Sequence, residues 1–166
     1  YSVAVVEEIA RKVFEEFREK YGVRSLNELR ESGMYPAFQF AIFVEQLNAE
    51  DRARKEAEIV LCDRTVYDNL MYTLLWCDVR TIAMYCNQFV RNVGDRRYDV
   101  IFLCEWIDGD VDDGFRTPDI DYRETQEWLL KMLLPDYIYL PVMPMEERVE
   151  VAYRAVESLY EWKFRR

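Results

Sequence analysis

Apolar residues in this chain fall into two kinds of run, and their alternation sets out the elements. Ser2–Val6, Ile59–Cys62, Tyr98–Cys104 and Tyr137–Leu140 are short apolar runs without internal alternation. Runs of this length, rich in β-branched residues, predict strands buried on both faces, as in a parallel sheet. Between them the period changes to three and four. Ile9, Val13, Phe14 and Phe17 define a helix over 7–17, with acids in its first turn and bases later, as the helix dipole favours. Ser25-Leu26-Asn27-Glu28 is a capping-box pattern that opens a short helix, and Glu31-Ser32-Gly33 closes it. Pro36 stands where a first helical residue belongs, which predicts a long helix over 37–55 with Phe40, Phe43, Val44 and Leu47 on its apolar side. Two aromatic-rich helices follow over 69–76 and 78–91. Another is capped at Asp121–Glu124 and runs to about Leu134. The last begins at Pro144, with Val149, Ala152, Tyr153, Val156 and Tyr160 as its apolar face. The segment 105–120, acidic and punctuated by Gly109, Gly114 and Pro118, reads as a loop.

Strands that alternate with helices imply right-handed crossovers and a parallel sheet. The expected fold is therefore α/β, a three-layer αβα sandwich. No internal repeat, low-complexity segment or linker interrupts the chain, so residues 1–166 are expected to form one domain.

Composition narrows the function. The net charge of −10 disfavours binding to a nucleic-acid duplex, whose phosphates would be repelled. An acidic chain still binds nucleotides where a few arginines and Mg²⁺ supply local positive charge. No apolar run approaches the ~20 residues that cross a bilayer, so no membrane association is expected. The absence of histidine excludes Ser-His-Asp and Cys-His hydrolases and any His-ligated metal. Cys62, Cys77, Cys86 and Cys104 show no C-x-x-C spacing, which points to free thiols in a reducing cytoplasm.

Three of the strands end in charge. Val6 runs into Glu7 and Glu8, Cys62 into Asp63 and Arg64, and Cys104 into Glu105. In open parallel sheets ligands sit beyond the carboxyl ends of the strands, so these groups are expected to share one rim. A carboxylate there accepts a proton or organises Mg²⁺, and a guanidinium clamps phosphate bidentately. Each acid is also an ordinary helix cap, Asp63 included, so only the convergence has weight. Arg11 lies on the helical face of Glu8, to pair with it or to reach a ligand. Gln39 is an amide among Phe38, Phe40 and Phe43, suited either to a nucleobase edge or to a backbone partner. Tyr67, Tyr72 and Trp76 offer rings for stacking or for the core.

The loop Asp108–Thr117 has acids in an EF-hand-like order. Asp113 stands where glycine is needed, however, and the flanks are not helices, which weighs against calcium. A mobile lid that brings Arg116 over a transferring phosphoryl group is one alternative, and a solvated acidic loop is another.

Taken in order, Glu8-Ile9-Ala10-Arg11, Phe38-Gln39, Asp63-Arg64 with Asp68, and Asp112-Asp113-Gly114-Phe115-Arg116-Thr117 resemble a P-loop family of kinase-like ATPase domains that includes ribosylnicotinamide kinases. The Phe-Gln and Asp-Arg elements are also similar to those of deoxynucleoside kinases. The resemblance implies a P-loop NTPase-like fold and Mg²⁺-dependent phosphoryl transfer from ATP to a nucleoside- or nucleotide-like acceptor. It implies Glu8 or Asp63 as the base or Mg²⁺-organising carboxylate, Arg64 at the phosphates and Arg116 as the lid arginine. Gln39, with Arg11, Tyr67 and Asp68 nearby, would hold the acceptor.

One departure stands out: no G-x-x-x-x-G-K-[ST] occurs in the chain. The family carries it on a central strand that precedes the one over 2–6. The expectation is that this segment lies upstream of Tyr1, or that another chain supplies it. Otherwise the chain is a degenerate, non-catalytic P-loop-like module that binds a partner protein. A homodimer is compatible with each of these.

Overall fold

The computed structural model describes residues 1–93, 98–106 and 120–164. Strand β1 (Val3–Val6) is followed by helices α1 (Ile9–Tyr21), α2 (Leu26–Glu31) and α3 (Tyr35–Glu56). Strand β2 (Ile59–Cys62), helices α4 (Val66–Trp76) and α5 (Val79–Val93) and strand β3 (Phe102–Cys104) come next. Helix α6 (Ile120–Leu133), strand β4 (Ile138–Leu140) and helix α7 (Met145–Phe164) complete the order. This is the expected α/β arrangement of parallel strands between helices.

Local chemistry explains the boundaries. Helix α1 stops at Gly22, whose φ of 72° suits a residue without a Cβ. Ser25 Oγ accepts from Glu28 N at 3.1 Å to open α2. Helix α4 begins earlier than the apolar period suggests. Thr65 is its N-cap, and Asp68 accepts from Thr65 N at 2.8 Å, so a Thr-x-x-Asp box starts the helix three residues before Asn69. Asp63, a candidate cap in the sequence, lies outside it.

Two apolar faces differ from expectation. In α3 the buried side carries Tyr35, Phe38, Gln39, Ile42, Phe43, Gln46, Glu50 and Ala53, while Phe40 and Val44 are exposed. Polar side chains occupy the core-facing stripe, which hides it from a hydrophobicity pattern. In α7 Val149 and Tyr153 are likewise exposed. Strand β3 is shorter than the run over 98–104, and Tyr98, at the start of that run, hydrogen-bonds Glu50.

The core divides into three clusters. Val6, Ile9, Val13, Phe14, Leu29, Phe38 and Ile42 join α1–α3 to the first strand pair. Phe43, Val66, Leu70, Tyr85 and Val93 join α3, α4 and α5. Ile101, Leu103 and Leu134 form a smaller third cluster.

The parallel strands are present as two pairs. β1 pairs with β2 (Val3 opposite Ile59), and β3 pairs with β4 (Phe102 opposite Ile138). Between β2 and β3 runs a cleft of about 1040 Å³, bordered by every residue of both strands, by Leu130 and Leu134, and by Val156 and Leu159 of α7. Alternate residues of a parallel strand direct their backbone groups to opposite edges. Ile59 N donates to Ser2 O, and Asp63 N to Val6 O, so Val60 and Cys62 turn theirs toward the cleft. Ile138 N donates to Ile101 O, and Glu105 N to Leu140 O, which leaves Phe102 and Cys104 facing it from the other side. Among the described residues, two open parallel edges thus confront one another, as expected if a central strand belongs between them.

The Cys62 thiol lies on this edge. Burial pushes its pKa up to about 11, and the Glu50 carboxylate adds to the effect. At pH 8, iodoacetamide is expected to label the exposed Cys104 well before Cys62, as mapped by peptide mass spectrometry; equal rates would show the burial to be transient. Burial raises Cys77 to about 11 as well. Well below pH 9 both thiols are neutral, folded or unfolded. Between pH 9 and 11 the unfolded chain ionises first, so stability falls as pH rises through that window.

Candidate active site

Glu8 caps α1 at the carboxyl end of β1, and Arg64 and Asp68 follow the carboxyl end of β2. The parallel pairing therefore brings their side chains to one rim. Arg64 lies 3.8 Å from Glu8 and 3.2 Å from Asp68. Arg11 Nε donates to the other Glu8 oxygen at 2.7 Å. Asp68 uses its second oxygen to accept from the Thr65 backbone and hydroxyl, so the box that starts α4 also orients a rim carboxylate. Burial by itself lowers the pKa of the Arg64 guanidinium, but Asp68, Tyr72 and Glu8 outweigh it and hold the pKa above its usual value. Arg64 is a permanent cation flanked by two acids.

Arg64 is the one non-glycine among the described residues with a positive φ, 86°. A left-handed backbone costs an ordinary residue about 1–2 kcal/mol and persists where the surroundings over-determine it. Here they do. Gln46 Nε2 donates to Arg64 O at 3.3 Å and to Glu50 Oε1 at 3.0 Å. Glu50, fully buried, also accepts from Tyr98 Oη at 2.8 Å, and Arg54 lies 3.4 Å from its second oxygen. Tyr98 Oη in turn accepts from Val66 N. Helix α3 thus holds the Arg64 carbonyl directly through Gln46, while Glu50 and Tyr98 tie α3 and the approach to β3 to the start of α4 at Val66. Gln46→Leu is expected to raise the mobility of the Arg64 side chain while leaving the fold intact. Relaxation of its Nε–Hε NMR signal measures this, and an unchanged signal would show that other contacts suffice.

Beside this rim lies a cavity of about 80 Å³ bordered by Glu8, Arg64, Asp68 and Tyr72 and by the amides of Gln39 and Asn69. Phe38, Tyr35 and Tyr122 supply its aromatic wall. The Arg30 guanidinium stacks on Trp76 at 3.8 Å, and Trp76 Nε1 donates to Tyr122 Oη. Arg64, Asp68 and Tyr72 also border the large cleft, so the two spaces meet at the rim.

Of the residues singled out from the sequence, Glu8, Arg11, Arg64, Asp68 and Gln39 are brought to the rim or the cavity. Asp63 is exposed and borders the large cleft rather than the cavity. Tyr67 packs against Phe89 and Tyr98 at 5.3 and 6.2 Å, within the core and outside the cavity lining. Arg116 and the loop segment Asp108–Thr117 lie outside the described residues. Asn69, Gln46 and Glu50 escaped the sequence reading. The spacing Gln39, Gln46 and Glu50 along one face of α3 was the available signal.

No three acids or thiols cluster closely enough to cage a metal ion among the described residues. Glu8 and Asp63 stand as single carboxylates, and Glu8 is already engaged by Arg11 and Arg64. That fits Mg²⁺ carried chiefly on phosphates and touched by one carboxylate, the usual habit of this ion. No helix among the described residues is long and apolar enough to cross a membrane.

A family model described as an AAA domain matches residues 1–151. The chain belongs to this family of P-loop NTPase-like proteins. Among solved structures it is similar to NadR protein in complex with NR, with a TM-score of 0.64 and 19% identity over 95% of this chain. The chain spans about half (51%) of the length of that protein. It is also similar to deoxyadenosine kinase from M. mycoides with products dcmp and dcdp bound, with a TM-score of 0.56 and 14% identity, covering 95% of this chain and 100% of that one. No curated protein matches.

Proposed function

We propose that the chain forms the acceptor-binding body of a nucleoside- or nucleotide-kinase-like phosphotransferase, which moves the γ-phosphoryl group of ATP to a hydroxyl of a small nucleoside-like acceptor. One observation carries this reading. A carboxylate and an arginine from separate βα units meet in the lining of a cavity that also carries amides and aromatic rings. The likeness to NadR protein in complex with NR and to deoxyadenosine kinase supports a nucleoside-type acceptor.

In this reading Glu8 accepts the proton of the attacking hydroxyl, Arg11 and Arg64 hold it in place, and Arg64 meets negative charge on the transferring group. Asp68 aims Arg64, Gln39 faces the acceptor ring, and Tyr72 borders the path between the two spaces. Arg116 is proposed as the arginine that closes over the phosphates. Mg²⁺, when bound, neutralises phosphate charge, and Glu8 and Asp63 are the carboxylates placed to help hold it.

The phosphate-binding strand of such an enzyme is proposed to sit between β2 and β3. A strand residue rises about 3.3 Å, lies about 4.8 Å from its neighbour and fills a layer about 10 Å thick, roughly 160 Å³ in all. A cleft of about 1040 Å³ then takes roughly six residues, the length of an ordinary strand. Its carboxyl end would emerge beside Asp63, Arg64 and Glu105. A reducing cytoplasm suits the four free thiols.

The test is ADP formation by the full-length polypeptide with ATP, Mg²⁺ and nicotinamide riboside or deoxyadenosine. Acceptor-dependent ADP release is expected. None with any nucleoside or nucleotide acceptor overturns the reading. The open edges of β2 and β3 also favour a second one, a non-catalytic module that takes up a partner's strand. ATP with Mg²⁺ at a hundred times its Kd stabilises a true binder by about 2.7 kcal/mol, and a melting temperature that does not move would favour the module.

A further inference from the structure

Gln39 and Asn69 are buried, at 3% and 4% exposure, and both border the cavity. Asn69 Nδ2 donates to the Gln39 backbone carbonyl at 3.1 Å. A carbonyl oxygen only accepts, so this bond decides which end of the Asn69 amide faces α3. The same nitrogen meets the Gln39 side chain at 2.5 Å, and the atom it meets is therefore the oxygen, Oε1. The Asn69 backbone is itself held, since its carbonyl accepts from Thr73 Oγ1 at 2.9 Å. Gln39 Nε2 is left directed away from Asn69, without a hydrogen-bond partner among the described residues. Asn69 Oδ1 is buried without a partner in the same wall.

We infer that Asn69 is a specificity-determining residue: it locks Gln39 as a hydrogen-bond donor, so the cavity takes a ring that presents an acceptor atom, a ring nitrogen or a carbonyl oxygen, to Gln39 Nε2. The inference rests on the reading of this cavity as the acceptor site and adds a polarity to it. An unrestrained glutamine amide turns over and meets a donor or an acceptor equally well. A locked one does not, because turning over would set its NH₂ against the Asn69 NH₂. One backbone carbonyl thereby fixes the polarity of two side-chain amides and, through them, of the ligand.

The test uses ligand pairs that exchange donor and acceptor on one edge. Adenosine and inosine differ in this way at the ring nitrogen and its neighbouring substituent, and so do cytidine and uridine. Titration calorimetry on the full-length wild-type protein is expected to separate the members of at least one pair by ~10-fold or more in Kd, because a site with a fixed hydrogen-bonding group penalises the mismatched partner. In Asn69→Leu the ratio is expected to shrink to within ~3-fold, since the freed amide turns to suit either ligand. A variant that keeps the full wild-type ratio overturns the lock.

Side-chain amide exchange in the ligand-free wild-type protein gives a second reading that needs neither a ligand nor a folded variant. The Asn69 Nδ2 protons are expected to be protected and the Gln39 Nε2 protons to exchange. The reverse pattern overturns the lock. Should the wild-type protein bind none of the four nucleosides while showing the expected exchange pattern, the acceptor-site reading fails and the amide geometry stands.

Discussion

Under the proposed phosphotransferase reading, Arg64→Ala is expected to lower kcat/KM by roughly 10²–10³-fold, the usual cost of removing a group aimed at developing charge. The physical case rests on placement. Arg64 is held between Glu8 and Asp68, its peptide is fixed by Gln46, and it borders both the cavity and the cleft beside it. Removing it leaves two carboxylates facing one rim with less positive charge between them, which opposes the approach of a triphosphate. The melting-temperature rise produced by ATP with Mg²⁺ should shrink in parallel. Arg64→Lys is expected to recover little, because a single ammonium cannot match the fork that spans two acids. Steady-state kinetics of the three proteins, with a thermal melt of each, measure this. An alanine variant with wild-type kcat/KM would remove Arg64 from the chemistry and leave it a structural ion pair.

The second large effect concerns stability. Glu50→Ala is expected to cost about 3 kcal/mol, because it strands the Tyr98 hydroxyl and the Gln46 amide without their acceptor in a buried site. Tyr98 already shows the influence of this place: burial, then the Glu50 charge, push its pKa up. Glu50→Gln keeps an acceptor oxygen in the same space and is expected to cost about 1 kcal/mol. The comparison is made from urea midpoints, with the denaturant slope checked for constancy. A loss below about 1 kcal/mol for the alanine variant would mean that Tyr98 and Gln46 find water or other partners. Glu50 touches the Arg64 peptide only through Gln46, so its loss should reach activity as well, and more weakly than Arg64→Ala.

Much of the scaffold was legible because it follows from local rules. The four strands and seven helices among the described residues follow short-range signals: an unbroken apolar run, a period near 3.6, a Ser, Thr or Gly at an end. The placement of charge was legible too. Parallel strands have all their carboxyl ends on one side, so Glu8 and Arg64 had to come near each other once the strands were assigned. Helix α3 shows the limit. Gln39, Gln46 and Glu50 look like surface residues by type, and Phe40 like core, yet the buried stripe contains the former and excludes the latter. A hydrophobicity pattern ranks residues by transfer to an apolar medium and has no means of seeing that an amide or carboxylate will find its partners from two other elements. Tyr67 failed in the opposite sense: an aromatic beside a strand end suits a ring-binding site as well as a core, and packing against Phe89 and Tyr98 made it core.

The sequence by itself determined the order of elements, their parallel sense, the acidic rim and the family to which the ordered motifs point. Each of these depends on a residue and its near neighbours along the chain. The tertiary structure decided which pairs of strands meet, where the cleft between them opens, how Glu50 and Gln46 hold a left-handed Arg64, and which way the amide of Gln39 faces. Those outcomes depend on hydrogen bonds between residues up to 57 positions apart, as from Ile59 to Ser2, whose direction is set by the fixed geometry of donors and acceptors.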